Sequence, residues 1–182
     1  MNDEVGATGA YASGTFGAAS SLVGGLRLPA DKSVAHRALL FNAMAEGEAE
    51  VTVARPGEDV LSMAHVLQAL GAVESISDGP AGFTRVRLHG GGTRKAAVLP
   101  GSGGETLDCG NAGTAMRLLI GALSGRPGRA TLVGDESLSG RPMERVAAPL
   151  RTVGAHIATE NGHAPIVVEG SRGLVATEHE LP

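Results

Sequence analysis

The order of helical and strand-like segments in this sequence occurs twice, and that duplication constrains the fold more than any single motif. In the first copy, Ser33–Glu46 is a helix candidate, with Val34, Ala38, Phe41 and Ala45 at helical spacing, Ser33 as its cap and Gly47 as its stop. Val51–Val53 alternates as a short strand. A second helix carries Val60, Met63, Ala64, Leu67 and Leu70 on one face and stops at Gly71, and strands at Ala72–Ile76 and Thr84–Leu88 follow around the turn Asp78-Gly-Pro-Ala-Gly82. In the second copy, Thr106–Asp108 is a strand, and Asn111 caps a helix that runs to about Ser124 before Gly125. Ala130–Val133 is the next strand. Pro142 opens a helix with Met143, Val146, Ala147, Leu150 and Val153 on its apolar face, and strands at Ala155–Thr159 and Pro165–Glu169 close the unit. Both copies join the second helix to the next strand through Gly-Ala, at 71–72 and 154–155.

A β-α-β-α-β-β unit repeated once defines an α/β (α+β) fold, each unit burying its helices against a neighbour of the same kind. The units span about 26–92 and 104–170. A leading strand for the first belongs in Ser20–Leu28, and the run from Gly173 to Pro182 opens a third copy, its Leu-Pro ending echoing Leu28-Pro29. On this pattern the chain is expected to be truncated. Residues 1–25, rich in Gly, Ala, Ser and Thr, are expected to be a flexible tail. With no Trp, one Tyr and three Phe, the core has to be built from aliphatic side chains and alanine. Gly90–Gly92 and Gly101–Gly104 are expected to be loops.

A net charge of −4 argues against a general nucleic-acid binder. The lone Cys109 excludes an internal disulfide and a multi-cysteine zinc site, and next to no evident base it reads as a small buried hydrophobe. The six histidines lack metal-ligand spacing, with His65 and His156 expected at surfaces or helix edges, so neither a metal nor a cofactor is expected. No apolar run reaches transmembrane length. The absence of Lys and Arg before Arg27 leaves no secretory or transit signal, and the expected location is the cytoplasm.

Three loops carry the candidate chemistry. Lys32 and Ser33 stand at a helix start, where free N–H groups favour an anion, and Arg37 follows one turn on; a capping Ser with two solvated cations fits the same spacing. Asp108-Cys-Gly-Asn-Ala-Gly-Thr-Ala-Met-Arg117 offers close backbone approach at Gly110 and Gly113 and hydrogen bonds from Asn111 and Thr114, although a capped helix with a glycine turn accounts for it equally. In Gly134-Asp-Glu-Ser-Leu-Ser-Gly-Arg-Pro-Met143, Arg141 either projects toward a ligand or bridges to Asp135 or Glu136.

These runs, with Gly57-Glu-Asp-Val60 between them, resemble the 5-enolpyruvylshikimate-3-phosphate (EPSP) synthase family in order and over residues 26–182. The resemblance implies an enolpyruvyl transferase of the shikimate pathway, which makes aromatic amino acids, joining shikimate 3-phosphate and phosphoenolpyruvate and releasing phosphate. It implies a two-domain fold with three β-α-β-α-β-β units per domain and substrates in the cleft. By motif, Lys32, Ser33 and Arg37 would contact shikimate 3-phosphate, and Lys32, Asn111, Gly113 and Arg141 would lie at phosphoenolpyruvate. Gly113, rather than Ala, is similar to the glyphosate-sensitive class. Ala30 departs from the family's Pro-Gly, and the polar tail is longer than usual. Family members are more than twice as long, with a Ser-Ala-Gln motif just beyond the equivalent of Pro182. The groups thought to handle protons lie in the second domain, so no catalytic residue is assigned and this chain alone is expected to turn over little substrate. Alternatives are a non-catalytic or split-enzyme half that binds a phosphorylated ligand, a complementary chain or its own copy, and, less well matched, the transferase acting on UDP-N-acetylglucosamine. That sister typically has Lys-Asn at Lys32-Ser33 and a reactive Cys loop that has no counterpart here. An exposed apolar face would mark a chain that needs a partner.

Overall fold

The computed structural model describes residues 28–91, 104–171 and 173–178. In chain order its elements are α1 (Lys32–Met44), β1 (Glu46–Ala54), α2 (Glu58–Ala69), β2 (Val73–Asp78), a 3₁₀ turn (Pro80–Gly82), β3 (Phe83–Gly91), β4 (Glu105–Asp108), α3 (Gly113–Ser124), β5 (Gly128–Val133), α4 (Glu136–Ser139), α5 (Glu144–Thr152), β6 (His156–Glu160) and β7 (His163–Gly170). The strands form two sheets, β1-β3-β2 and β4-β5-β7-β6. Within each, the two later strands of the unit pair antiparallel, while β4 runs parallel to β5.

Without β4 the two sheets have the same order. The reading of a leading strand in Ser20–Leu28 lies outside the described residues except for Leu28, which is in no strand. The chain entering α1 nonetheless matches the chain entering α3: Ala30 N donates to Ala54 O at 3.0 Å, as Cys109 N donates to Val133 O at 2.9 Å. Each bond ties the residues before a unit's first helix to the end of the strand that follows it. Residues 173–178, read as the opening strand of a third copy, pair with neither sheet; Val175 N donates to Val153 O instead. A strand needs a partner edge, and one bond to a loop carbonyl does not supply it.

The helices lie between the sheets, and one continuous core joins both units through α1, α2, α3 and α5. Its largest fully buried side chains include Leu39, Met63, Leu67, Leu88, Met116, Leu119, Ile120 and Leu132. Phe41 and Phe83 are exposed, so among the described residues the core is aliphatic, as the composition requires.

Several local readings are corrected. Helix α1 buries Ala35, Leu39, Leu40 and Ala43, not the Val34–Ala38–Phe41–Ala45 stripe; Val34 is 66% and Phe41 60% exposed. Residues 38–45 are apolar on most sides, so periodicity alone picks no face, and the side that meets α2 and β3 is the one carrying Leu39 and Leu40. Asp31, not Ser33, caps α1 by accepting from Val34 N at 2.8 Å. The helix ends at Ala45 in extended conformation, and Gly47, read as the stop, belongs to β1. Gly90 and Gly91, read as loop, belong to β3. Pro142 does not open a helix: Asp135 caps the short α4, and α5 begins at Glu144 after Met143 N bonds to Gly162 O.

Candidate anion-binding site

The first loop reaches α1 through Pro29-Ala30-Asp31. Lys32, in the first turn, places Nζ 2.8 Å from Asp59 Oδ2 in the first turn of α2. Both groups retain solvent access, and such a pair contributes little to stability. Ser33 and Arg37 are exposed, and the Arg37 guanidinium folds back on its own helix, donating to Ser33 O at 3.0 Å. His36, one turn from Lys32, points inward. It is fully buried and both ring nitrogens lack a partner. Burial holds its pKa below the usual histidine value, with Lys32 and Arg37 acting in the same sense and Asp59 opposing.

The second loop follows β4. Gly110 takes a left-handed φ of 53°, donates to Asp108 Oδ1 at 2.8 Å, and packs so closely on α2 that a Cβ there would stand 2.9 Å from Ser62 Oγ. Asp59 and Ser62 are one turn apart, so α2 carries both loops at its N-terminal end. Asp135 N bonds to Gly110 O at 2.9 Å and joins the third loop to the second.

Asn111 is not a helix cap: α3 begins at Gly113 behind Ala112 and has no side-chain cap. Its amide instead connects two loops. Nδ2 donates to Asp135 Oδ2 at 2.8 Å, and Oδ1 accepts from Arg141 Nη2. Asp135 is fixed in turn by its other oxygen, which accepts from Leu138 N at 2.7 Å. Arg141 Nη2 also lies 3.3 Å from Ser137 Oγ, so Arg141 bridges to neither Asp135 nor Glu136. A Cβ on Gly113 would meet Arg117 Nη1 at 3.0 Å and Arg141 Nη1 at 3.1 Å. The bare N-terminus of α3 and two guanidinium groups therefore share one small space.

The structure brings Asn111, Gly113 and Arg141 into contact, and ties Lys32 of α1 to Asp59 of α2, the helix on which Gly110 packs. Ser33 and Arg37 stay on the outward turn of α1. Thr114 is half-buried in the first turn of α3. Cys109 is fully buried, its thiol pushed up to about 12 by burial and the Asp108 charge; it is a packing group, not a nucleophile. His65 and His156 are exposed, as read. Sequence reasoning missed Arg117 and Arg145. Burial, then Arg145 and Arg141, lowers the Arg117 pKa. The signal available was spacing: Arg117 follows Gly113 by four residues, one helical turn. His36 was missed too, because a helix read on the wrong face hides what its other face buries.

Two sheets carrying helices between them, with cations and a free helix N-terminus at one end, define a repeat-built α/β protein suited to anionic ligands. The family model for EPSP synthase (3-phosphoshikimate 1-carboxyvinyltransferase) matches residues 17–180, and the chain belongs to that family. Over 166 residues it is 43% identical to a 3-phosphoshikimate 1-carboxyvinyltransferase of Acidithiobacillus ferrooxidans, and over 170 residues it is 41% identical to one from Herpetosiphon aurantiacus. Those alignments cover 90% and 92% of this chain but 36% and 37% of the relatives, so the chain spans a little over a third of their length. An EPSP synthase structure from Acinetobacter baumannii superposes with a TM-score of 0.72 at 40% identity, covering 86% of this chain and 34% of that one. The mixed α/β fold is that of EPSP synthase. No helix among the described residues is long and apolar enough to cross a membrane.

Proposed function

We propose that this chain supplies the substrate-holding part of a 3-phosphoshikimate 1-carboxyvinyltransferase, which transfers enolpyruvyl from phosphoenolpyruvate to shikimate 3-phosphate and releases phosphate in the cytoplasm. The observation that carries this reading is the contact of Arg141 with Asn111 beside Gly113, made by the motifs that mark the family. In this proposal Arg141, Asn111 and Gly113 hold phosphoenolpyruvate. Arg141 clamps its charge, Asn111 fixes the Arg141 fork, and Gly113 leaves room for the ligand. Lys32, Ser33 and Arg37 contact shikimate 3-phosphate, with Lys32 also lying at phosphoenolpyruvate and leaving Asp59 as the anion arrives. Cations fixed before reaction stabilise charge that builds on departing phosphate, and two bound substrates react as if far more concentrated.

The residues in contact at this site are donors and cations, with Asp135 committed to Asn111 and to the α4 cap. No free acid or base among them is placed to move a proton, so turnover needs groups from the rest of the relatives' length. Phosphate release from shikimate 3-phosphate plus phosphoenolpyruvate tests this. The expected result is little release by the chain alone, recovery when the remaining segment of a family member is added as a separate chain, and loss of that recovery in Arg141→Ala. Full turnover by the chain alone points to self-association or a sufficient half-site and overturns the division of labour. Failure of the added segment to restore release leaves a phosphorylated-ligand binder.

A further inference from the structure

Two guanidinium groups, Arg117 and Arg141, converge where α3 begins, with Arg145 in the first turn of the neighbouring α5, and among the described residues none of the three pairs with a carboxylate. Arg141 leans on Asn111 and Ser137, both uncharged. Arg117, half-buried in the second turn of α3, spends one donor on Pro142 O at a long 3.4 Å, and its Nε is buried with no partner. Arg145, in the first turn of α5, is exposed and close enough to Arg117 to repel it. A guanidinium has five donors and cannot shed its charge, so a half-buried one beside two others is costly unless negative charge answers it. The two first turns add N–H groups of the same sign; α3 has no side-chain cap and α5 none. The elements position this charge deliberately: Gly113 leaves open the point that Arg117 Nη1 and Arg141 Nη1 both approach within 3.1 Å.

We propose that Arg117, backed by Arg145, makes the Arg141 subsite selective for doubly charged over singly charged anionic groups, such as a phosphate dianion over a carboxylate or a phosphate monoanion. Arg141 binds, and Arg117 sets the charge preference. Coulomb energy scales with ligand charge, so deleting one nearby cation weakens a dianion by the square of the factor that it costs a monoanion. This deepens the enolpyruvyl-transferase reading and rests on it for the natural ligand, but the test does not, because its probes are inorganic ions.

Titration calorimetry on the 182-residue chain with sulfate, nitrate and inorganic phosphate decides the matter. Sulfate is expected to bind best, and phosphate affinity to rise from pH 6 to pH 8 as its second proton leaves, while sulfate affinity stays level. Arg117→Gln is expected to weaken sulfate about tenfold and nitrate about threefold, and to flatten the phosphate pH profile. Arg117→Lys is expected to restore most of the sulfate preference. If Arg117→Gln lowers the unfolding midpoint too far to titrate, Arg145→Gln, at an exposed position, is expected to move the same ratio in the same direction by a smaller factor. Equal losses for sulfate and nitrate would show that Arg117 only packs the site, and an unchanged ratio in both variants would overturn the proposal. Failure of the added family segment to restore phosphate release, with an intact sulfate preference, would defeat the functional reading and leave this one standing.

Discussion

A methyl group on Gly113 would press on two guanidinium ends, both at the tips of flexible side chains. Gly113→Ala is therefore expected to fold, with stability changed by less than about 1 kcal/mol, while pushing Arg117 and Arg141 apart. Titration with phosphoenolpyruvate should show affinity reduced about tenfold or more; unchanged affinity would remove Gly113 from the site. His36 makes the opposite case, a buried polar group that nothing satisfies. Its folded-state pKa lies below 6.5, so in that window the unfolded chain takes up a proton that the folded chain refuses. Stability is complete above the unfolded value and is lost as pH falls toward the folded one. His36→Leu is expected to keep or raise the thermal midpoint at pH 7.5 and to lose less of it by pH 5.5. An identical acid slope in both proteins would show that another group governs it. The burial of His36 was not legible beforehand. The motif points to Gly113 as a site of close approach, but which groups approach depends on Arg117 and Arg141 arriving from separate elements.

At the scale of elements, each unit ends its last strand with a glycine seated on the end of its first helix. A Cβ on Gly90 would lie 2.1 Å from Ala45 O and 2.5 Å from Asn42 O; on Gly170 it would lie 1.7 Å from Arg126 O and 2.3 Å from Leu123 O. Backbone carbonyls cannot step aside as side chains do. Gly90→Ala and Gly170→Ala are each expected to cost about 3 kcal/mol or more in urea denaturation. Gly121→Ala, in mid-helix with nothing within 4 Å, is expected to stabilise by about 0.5–1 kcal/mol. A small loss at Gly90 or Gly170 would mean that the strand–helix seat is loose. Strands and helices could be read because alternation and 3.6-residue spacing are local: α2, β2, β4, β5, β6 and β7 fall where those patterns place them, while β1 and β3 contain the strands read at 51–53 and 84–88 but run on through glycines read as a helix stop and a loop. Caps were harder. Ser33 and Asn111 have the right chemistry in the wrong place: Asp31 is better set to reach Val34 N, and Asn111 is taken by Asp135 and Arg141.

For the whole molecule, the repeat was legible because two copies test each other, and the shared Ala30–Ala54 and Cys109–Val133 bonds record it in the backbone. The outward face of α1 was not legible, since which apolar stripe is covered depends on neighbours far along the chain. Val34 and Phe41 stand exposed on that face. Phe41→Ser is expected to leave the thermal midpoint within a few degrees, whereas Leu39→Ser, in the core, should unfold the chain under the same conditions. Sedimentation velocity should show less self-association in Phe41→Ser than in the parent chain, as removing an exposed apolar side chain requires. Equal sedimentation would mean that this face stays bare in solution.

Cys109 gives the molecule an internal clock. It sits between Asp108 and Gly110, in the loop that leads to Asn111, and as a buried thiol it is closed to alkylating reagents while the loop stays shut. Each labelling event would count one opening of the loop, so a slowing of modification by added anion would report how firmly an occupied site latches its own entrance.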